Sequence, residues 1–333
     1  MAYPSPFPVI DDDQLPSLVP MADAIALMEQ AFRLHAAGKL IAPPRLQSEV
    51  KTGTLMFTCG AIDDPTGNIG FRVYDWKQLS SPDRSEMTPL FSSRDGRVEG
   101  LCVGPLLGAW RTGAIGGAIL KHVTSIESGK LALVGTGYQA RTQLLAAVTA
   151  LPFEEVEIYG RTIAKASVFV NEMKTQLADA GHPDVRINLA NSIEQAVRDA
   201  DAVISATTSR QPLYREEWLS ENVHLHNVGP KFRKAHEIPV EVIDTCDTIT
   251  TDALAQALSY DNFLLNGTAA GERLREFSEL MQSVQESDKP KRRWNAIRTE
   301  RSYCCSIGLA GTELLIARAA IQARIASESN SLG

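Results

Sequence analysis

A glycine turn near residue 135 is the segment of this chain whose residue types indicate chemistry most directly. The apolar run 131–134 leads into Gly135-Thr136-Gly137, and a helix-favouring stretch follows Ala140. A strand, a glycine turn and a helix start in this order form the site that binds a dinucleotide pyrophosphate. Gly135 permits the tight turn, Gly137 lets the backbone approach the phosphates, and Ala140 lets helix and strand pack closely. Free N–H groups and the helix dipole then face the anion.

The end of the next apolar run bears on which dinucleotide would bind. An NAD-preferring site places Asp or Glu there, because the carboxylate accepts hydrogen bonds from the ribose hydroxyls. Here Gly160 stands at that place, and Arg161 and Thr162 follow it. A guanidinium and a hydroxyl can both bind the 2′-phosphate of NADP. We therefore expect NADP(H) to be preferred and NAD(H) to be possible; the alternative for Arg161 is a solvated loop residue.

Alternating strands and helices must position these residues. From residue 130 onward the pattern predicts an α/β domain with strands at 131–134, 155–159, 185–189, 202–205, 223–227 and 241–244, and helices at about 138–150, 163–180 and 192–199. Before it, the pattern predicts an amphipathic helix over 21–38, a mostly antiparallel sheet over about 45–104 and a helix over 109–121. The polar, basic stretch 282–302 is typical of a solvated loop, and a helix is expected to about 327.

Composition excludes several classes of function. A net charge of −7 over 333 residues argues against a nucleic-acid partner. No apolar run approaches the roughly 20 residues that span a bilayer, so we expect no membrane partner, and the first residues do not resemble a secretory signal. Five scattered cysteines without a CxxC pair suit a reducing cytoplasm, and Cys304-Cys305 is expected to be buried packing. The histidine and cysteine spacings predict no metal site.

Short motifs spread along most of the chain resemble the ornithine cyclodeaminase/mu-crystallin family. In order they are Pro44-Arg45, Gly70-Phe-Arg-Val73, Trp110-Arg-Thr-Gly-Ala114, Gly135-Thr-Gly-Tyr-Gln-Ala140, Ser205-Ala-Thr-Thr-Ser209, Asn227-Val-Gly229 and Ser306-Ile-Gly-Leu-Ala310. The resemblance implies a Rossmann NAD(P)-binding domain inserted into a second, α+β domain for substrate binding and dimerisation. It places the second domain at 1–122 plus 304–333 and the Rossmann domain at 123–303. It also implies a homodimer.

Three arginines stand at positions that the resemblance assigns to the substrate, Arg45, Arg72 and Arg111. In the family the corresponding residues clamp the α-carboxylate of an amino or imino acid, and a planar guanidinium pairs with a carboxylate through two charge-assisted hydrogen bonds. Arg72 departs from the pattern, because most members carry lysine there. Arg72 is a candidate catalytic residue as well, although its permanent charge makes it a poor proton donor. A surface ion pair is the alternative for any one of the three.

The resemblance also assigns residues to the cofactor. These are Gly135, Thr136, Gly137, Gln139, Ala140, Arg161, Thr162, Thr207, Thr208, Val228, Gly229, Ser306, Gly308 and Leu309. Thr207, Thr208 and Ser209 are expected on the nicotinamide-ribose side, or else as turn caps. Glu313 stands where many relatives carry aspartate, and a helix-start carboxylate is its simplest role.

One departure decides which branch of the family the chain resembles. The cyclodeaminase pattern has an aspartate two residues after Gly229, which takes part in proton transfer and ammonia release, and this chain has Lys231. Mu-crystallin also lacks that aspartate and resembles an imine reductase. Lys231 is therefore a candidate catalytic residue that contacts substrate or donates a proton; a surface cluster, Lys231-Phe-Arg-Lys234, is the alternative.

These features predict an NADP(H)-dependent oxidoreductase that reduces the C=N bond of an α-imino acid to an amino acid, or runs in reverse. The main task of such a protein is to position the substrate beside the cofactor, because the cofactor performs the chemistry. Two alternatives stay open. One is an ornithine cyclodeaminase-type lyase with bound NAD, and the other is a non-catalytic, NADPH-binding protein similar to mu-crystallin.

Overall fold

The computed structural model describes residues 7–78, 84–124, 129–286 and 300–331. Its strands are β1 Val9–Ile10, β2 Leu40–Ile41, β3 Leu46–Val50, β4 Gly53–Ile62, β5 Asn68–Tyr74, β6 Glu86–Ser92, β7 Val98–Val103, β8 Gly129–Val134, β9 Phe153–Tyr159, β10 Arg186–Leu189, β11 Ala202–Ser205, β12 His224–Asn227, β13 Lys231–Phe232, β14 Ala235–His236, β15 Thr248–Thr251, β16 Arg275–Glu276 and β17 Ser302–Cys305.

The helices lie before, between and after these strands. They are α1 Leu15–Leu18, α2 Met21–Ala36, α3 Leu106–Val123, α4 Tyr138–Ala150, α5 Ile163–Asp179, α6 Ile193–Val197, α7 Val240–Asp244, α8 Leu254–Leu258, α9 Ala269–Arg273, α10 Phe277–Gln285 and α11 Thr312–Ser331. Short 3₁₀ turns occur at Trp76–Gln78 and Glu216–Trp218. Among the described helices, none combines the length and apolar character that crossing a bilayer requires.

The chain divides into two compact units. The first comprises Met1–Arg111 with Leu309–Gly333, and the second comprises Thr112–Gly308. The second unit is thus inserted into the first along the sequence. The stretch 123–303, which the sequence assigns to the nucleotide domain, falls inside the second unit, and the exact domain limits drawn from the sequence stay a prediction.

The first unit is an antiparallel sheet covered by helices. Its strand order is β1-β7-β6-β5-β4-β2, with β3 also pairing with β4, and only the β1–β7 pair is parallel among the described pairs. Helix α11 packs on β4 to β7 and on α2. Along β5, Asn68, Gly70, Arg72 and Tyr74 are buried, because side chains on a strand alternate between its two faces.

The second unit is a doubly wound parallel sheet in the order β10-β9-β8-β11-β12-β17-β15-β16. From the central strand β8 the chain first adds β9 and β10 on one side and then returns to β11 on the other. An open α/β sheet binds its ligand in the crevice at such a switch point, outside the carboxyl ends of the strands. The core beneath is built of apolar strand and helix residues such as Leu131, Leu133, Ile158, Phe169 and Met173. The fold class predicted from the sequence is confirmed.

Two sequence predictions are wrong at the level of single elements. Residues 241–244 do not form a strand, because Val240–Asp244 is helix α7, opened by Pro239. The pattern Val-Glu-Val-Ile fits a half-buried strand or one helical turn equally well, and burial of Val242 and Ile243 on one side of the turn decides between them. The predicted loop 282–302 includes the end of helix α10 and the start of strand β17, while 287–299 lie outside the described residues.

Candidate active site

A cleft opens at the carboxyl ends of β8, β9 and β11. Its volume is about 360 Å³, and it is lined by Val134, Gly135, Thr136, Gly137, Tyr159, Gly160, Arg161, Thr162, Lys165, Ile193, Ala206, Thr207, Thr208, Ser209 and Leu213. Seven of the residues that the sequence assigns to the cofactor are brought together here: Gly135, Thr136, Gly137, Arg161, Thr162, Thr207 and Thr208.

The glycines of the turn shape the floor of this cleft. Gly135 has a φ of +117°, and a Cβ at this position would overlap the carbonyl of Ala206. Gly137 is the N-cap of α4, and among the described residues no atom beyond its immediate neighbours lies within 4 Å of where its Cβ would stand. The helix N-terminus is therefore bare backbone facing open space. Such a cradle of N–H groups fits a dinucleotide pyrophosphate.

Two exposed cations stand on the rim where an adenosine ribose would lie. Arg161 and Thr162 follow β9, and Lys165 lies in the first turn of α5, four positions after Arg161. Sequence reasoning missed Lys165. The predicted helix start at 163 was the signal that could have found it, because the first turn of that helix follows the carboxyl end of β9, where the ligand of such a sheet binds.

Arg72 belongs to a buried cluster of charges in the first unit. Its Nε donates to Oε2 of Glu86 over 2.8 Å, and its Nη2 donates to the same oxygen. The guanidinium carbon lies 4.2 Å from the ring centroid of Tyr74. Glu86 also accepts from Nε of Arg84 over 2.9 Å. Sequence reasoning missed Glu86, since a lone glutamate in a strand is usually a surface residue.

Arg111 joins the same cluster from helix α3. Its Nη2 lies 3.1 Å from Oε1 of Glu313, and Nη1 of Arg72 lies 4.0 Å from the same oxygen. Burial lowers the pKa of Arg111; Glu313 opposes this shift, while the charges of Arg72 and Arg45 add to it. The structure therefore brings the three predicted substrate arginines together. Within the described residues, Nε and Nη1 of Arg111 have no hydrogen-bond partner.

Comparison with protein families gives a match over most of the chain. The model of the ornithine cyclodeaminase/mu-crystallin family matches residues 12–287. The chain belongs to this family. The match includes the glycine turn, the three arginines and Lys231, so the family resemblance deduced from the motifs is confirmed.

The curated relatives of this chain are named after different activities. An uncharacterized cyclodeaminase of Sinorhizobium fredii is 27% identical, with 74% of this chain and 76% of the relative covered. A Δ1-pyrroline-2-carboxylate reductase of Bacillus cereus is 23% identical over 93% of this chain and 94% of the relative. The ketimine reductase mu-crystallin of Macropus fuliginosus is 24% identical over 64% and 63% of the two chains.

Solved structures with the same fold include enzymes with a bound nicotinamide nucleotide. The Thermococcus litoralis Δ1-pyrroline-2-carboxylate reductase, solved with NADH and L-proline, superposes with a TM-score of 0.81, at 23% identity over 97% of this chain and 98% of that chain. An archaeal alanine dehydrogenase dimer with bound NAD superposes with a TM-score of 0.79, at 23% identity over 97% of each chain. At these identities the superpositions establish the fold.

The other residues that the sequence assigns to the cofactor do not line the cleft. Val228 and Gly229 follow β12, and Ser306 and Gly308 follow β17, at the same carboxyl edge of the sheet. Leu309 belongs to the first unit. Gln139 is half-buried on α4, and Ala140 is fully buried in the core of the second unit. Their roles remain predictions.

Lys231 lies buried at this edge rather than on the surface. Its ammonium donates to the carbonyl of Val228 over 2.9 Å and to the carbonyl of Ser306. It thereby joins the loops that follow β12 and β17. Two carbonyl oxygens at one point would repel a carboxylate, so the surroundings of residue 231 suit a cation.

Two buried carboxylates at the same edge were missed by sequence reasoning. Asp252 accepts hydrogen bonds from the N–H groups of Ile307, over 2.6 Å, and Gly308, over 2.9 Å, and so holds the loop after β17. Glu237 accepts from the N–H of Thr207 over 2.6 Å and from Nδ2 of Asn227 over 2.5 Å. Both follow short strands that the sequence pattern did not resolve, β15 and β14.

The described residues include a buried histidine pair but no cluster of metal-ligating side chains. Among residues 7–78, 84–124, 129–286 and 300–331, no group of three His, Cys, Asp or Glu side chains converges to hold an ion. The buried pair His224 and His226 has its ring centroids 5.8 Å apart. Burial lowers the pKa of His226 to about 3, with the charge of Lys231 adding to the shift, so this ring is neutral at physiological pH.

Proposed function

We propose that this protein is an NAD(P)(H)-dependent oxidoreductase that reduces the C=N bond of an α-imino acid to an amino acid, or catalyses the reverse reaction. The buried arginine cluster carries the proposal. Arg111 offers the N–H groups of its Nε and Nη1, which no described residue uses, beside the charges of Arg45 and Arg72. A buried cationic site with donors left over selects an anion, and an α-carboxylate is an anion with two acceptor oxygens.

Glu86 and Glu313 shape this carboxylate site. Glu86 accepts hydrogen bonds from Nε and Nη2 of Arg72, and Glu313 pairs with Nη2 of Arg111. Each guanidinium is therefore held in one orientation. A planar fork that is fixed in advance loses little freedom when the substrate binds. The arginines would therefore hold the acid end of the substrate rigidly, which leaves its C=N carbon in a defined position. Such positioning is worth several orders of magnitude in rate.

The second unit would supply the reductant through its cleft. Its lining residues would hold a nicotinamide nucleotide, whose chemistry is the transfer of a hydride to or from a substrate carbon. The backbone at Gly135 and Gly137 would hold the pyrophosphate. Arg161, Thr162 and Lys165 would hold a 2′-phosphate, which supports NADP(H) as the preferred cofactor and leaves NAD(H) possible. Related structures contain NADH or NAD, so the preference needs its own measurement.

Fluorescence titration of NADPH and NADH measures this preference. We expect Arg161→Ala with Lys165→Ala to weaken NADPH binding by about 30-fold and NADH binding by less than about twofold, because only NADPH has the phosphate that these cations would bind. Arg210→Ala, an exposed arginine that follows the cleft residue Ser209, is the control and should change neither. Equal weakening of both nucleotides would refute the assignment of the two cations to the 2′-phosphate.

The proton for the amine nitrogen would come from Lys231 or from water. Two of the three N–H groups of the Lys231 ammonium serve the carbonyls of Val228 and Ser306, which leaves one for a substrate or a water molecule. The same contacts support reduction over cyclodeamination, because they suit a cation at the position where the cyclodeaminase pattern has aspartate. A cyclodeaminase-type lyase remains the second candidate, since one curated relative is named as a cyclodeaminase.

A substrate screen separates these candidates. The purified protein would be given NADPH or NADH with pyrroline-2-carboxylate, piperideine-2-carboxylate, or 2-oxo acids mixed with ammonia or methylamine, and ornithine with NAD⁺ in parallel. Oxidation of the reduced nucleotide with any imine supports the proposal. Ammonia and proline from ornithine, without net change in the nucleotide, would replace it with the lyase. Tight nucleotide binding without turnover on any substrate would indicate the non-catalytic alternative.

We also propose that the protein is a homodimer built on the outer face of its antiparallel sheet. That face carries apolar side chains in register on neighbouring strands, among them Leu55, Phe57, Ile69, Phe71, Val73, Met87 and Phe91. The rings of Phe57 and Phe71 lie 6.1 Å apart, and those of Phe71 and Phe91 lie 6.5 Å apart. A contiguous apolar face of this size on a folded unit marks an interface, and a related alanine dehydrogenase is a dimer.

Sedimentation measures this assembly directly. We expect Phe71→Asp to convert the dimer to a monomer, because a buried, unpaired carboxylate would oppose burial of the face. Val168→Asp, at an exposed apolar position of the second unit, is the matched control and should leave the dimer intact. A wild-type protein that sediments as a monomer would refute the dimer.

A further inference from the structure

The two-stranded hairpin of β13 and β14 has a buried charge at its start and another directly after its end. Lys231 pairs with His236 across the hairpin, and Glu237 follows directly. Glu237 has no solvent-exposed surface, and Lys231 is 8% exposed. Charged side chains are rarely buried to this extent unless their contacts compensate the loss of water, so the contacts of Glu237 must account for its burial.

Both oxygens of Glu237 are held by donors from the ends of β11 and β12. Thr207 contributes its N–H, over 2.6 Å, and Asn227 its Nδ2, over 2.5 Å. The hydroxyl of Thr207 and the N–H of Gly229 add further hydrogen bonds. A Cβ on residue 229 would overlap the carboxylate, so glycine is what lets the loop close on it.

The orientation of Asn227 shows that an acceptor is required at Glu237. The side-chain carbonyl of Asn227 accepts from the hydroxyl of Tyr303 over 3.2 Å, which leaves its NH₂ group facing Glu237. The backbone N–H of Thr207 can only donate. A glutamine at 237 would therefore place its own NH₂ group against one of these donors, and only an ionised carboxylate can accept from all of them.

The loops joined in this way are the ones that the family motifs assign to the cofactor. Thr207 and Thr208 line the cleft after β11, and Val228 and Gly229 follow β12. Lys231, on the other strand of the hairpin, ties Val228 to Ser306 after β17. The hairpin thus fixes the relative positions of the loops that follow three neighbouring strands.

We propose that Glu237 is a positioning residue for the nicotinamide cofactor, and that its ionised carboxylate holds the loops at 207 and 229 at the spacing that cofactor binding needs. The inference rests on the proposed function, because it assumes that these loops bind a nicotinamide nucleotide. It adds a residue that contacts neither substrate nor cofactor and acts through the backbone that does.

A pH dependence follows from the same contacts. Burial raises the pKa of Glu237 to about 7, while the hydrogen bonds from Thr207 and the charge of Lys231 oppose the rise. Within the described part of the chain, Lys231 and Tyr214 are the charged and titratable groups that act on Glu237. Tyr214 stays protonated, because burial also raises its pKa. Protonation of Glu237 would turn one acceptor into a donor, so cofactor affinity should fall as the pH drops through about 7.

The test is a titration of the full-length protein with NADH at pH 6, 7, 8 and 9, by fluorescence. NADH is used because it lacks the 2′-phosphate, which itself titrates near pH 6. Wild type should bind about tenfold more weakly at pH 6 than at pH 8. Glu237→Gln should bind about tenfold more weakly than wild type at pH 8 and should show no such pH dependence.

Glu276→Gln is the matched control. Glu276 is also buried in the second unit with a raised pKa, and it accepts the N–H of Leu254, which is not among the candidate cofactor residues. This variant should bind NADH as wild type does, with the same pH profile. Equal loss of affinity in both variants would mean that any buried glutamate supports the unit in a general way, and it would overturn the inference.

The remaining outcomes also test the inference or the proposed function. Unchanged binding by Glu237→Gln overturns the inference and leaves the proposed function standing. If Glu237→Gln does not fold, the wild-type pH series decides alone, and a flat profile overturns the inference. Failure of wild type to bind either NADH or NADPH overturns the proposed function, and the inference with it.

Discussion

The buried charges of the two units are used in different ways. At the carboxyl edge of the parallel sheet, Asp252 and Glu237 each accept hydrogen bonds from backbone N–H groups of neighbouring loops. In the first unit, Arg72 and Arg111 face carboxylates, and no described residue uses the N–H groups of Nε and Nη1 of Arg111. A charge surrounded by backbone partners fixes the shape of a loop. A charge with donors left over is available to a ligand, because leaving it unpaired is costly.

The strongest test of this contrast is Arg111→Lys. The lysine keeps the charge opposite Glu313 but loses the planar fork, so we expect kcat/KM for the imino acid to fall by about 100-fold while nucleotide affinity stays unchanged. Steady-state kinetics and NADPH titration measure the two quantities. Arg318→Lys, which alters another arginine–carboxylate pair of the same unit, with Asp64, is the control and should leave both unchanged. An equal loss of nucleotide affinity would contradict the separate roles proposed for the two regions, substrate binding in the first unit and nucleotide binding in the second.

The next test uses the pH dependence of stability in the second unit. Burial raises the pKa of Glu276 from 4.5 to about 8. Between these values the folded protein holds a proton that the unfolded chain has lost, so Glu276 stabilises the fold at pH 5, and this contribution disappears as the pH rises to 8. Urea unfolding should therefore show that the free energy of unfolding of wild type, relative to that of Glu276→Gln, falls by about 3 kcal/mol from pH 5 to pH 8.

The comparison with the variant is needed because other groups titrate in the same range. Burial lowers the pKa of His226 to about 3, so this histidine makes stability rise with pH up to about 6.5, with the opposite sign. That contribution is present in both proteins and cancels in the difference. A difference that is constant with pH would show that Glu276 is ionised in the folded protein.

A smaller effect is expected from Asp252→Asn. The amide keeps the shape of the side chain but loses the charge that holds the N–H groups of Ile307 and Gly308. We expect nucleotide binding, measured by fluorescence, to weaken by about tenfold. Asp201→Asn is the control, because Asp201 accepts a backbone N–H from Lys130 at the opposite edge of the sheet. Equal effects at both edges would mean that the carboxyl edge has no special role.

The smallest effect should come from Arg72→Lys. Glu86 already occupies Nε and Nη2 of Arg72, so a substrate would meet the charge of this residue rather than its planar fork. Lysine keeps that charge, so we expect kcat/KM to change by less than about threefold. Stability should fall by about 1 kcal/mol, because the paired bonds to Glu86 and the contact with Tyr74 are lost. A loss of activity as large as that of Arg111→Lys would give Arg72 the same role as Arg111.

The sequence predicts the elements with strong periodicity and misses short elements whose type depends on the residues packed around them. The strands leading to Gly135 and Gly160 and the helix from Met21 were found within a few residues, because each has a long apolar pattern. Strand β15 was missed and Val240–Asp244 was misassigned, since four or five residues cannot distinguish a strand from a helical turn.

The site divides in the same way. The glycine turn and the three arginines lie in motifs and could be named in advance. Glu237, Asp252 and Glu86 could not, because a carboxylate that is buried by the fold has the same local sequence signature as one on the surface. Their roles follow from distances between strands that are remote in sequence, and those distances exist only in the folded chain.

Helix α11 has a consequence for how the protein is made. Its buried side chains, among them Leu315 and Ile316, complete the core against strands β4 to β7. The ribosome synthesises all of Thr112–Gly308 between those strands and this helix. The unit whose strands emerge first is therefore the last to close, and its half-built sheet must remain unaggregated while the inserted unit is translated. Slower translation of the insert would lengthen that exposed interval and make nascent chains more dependent on chaperones.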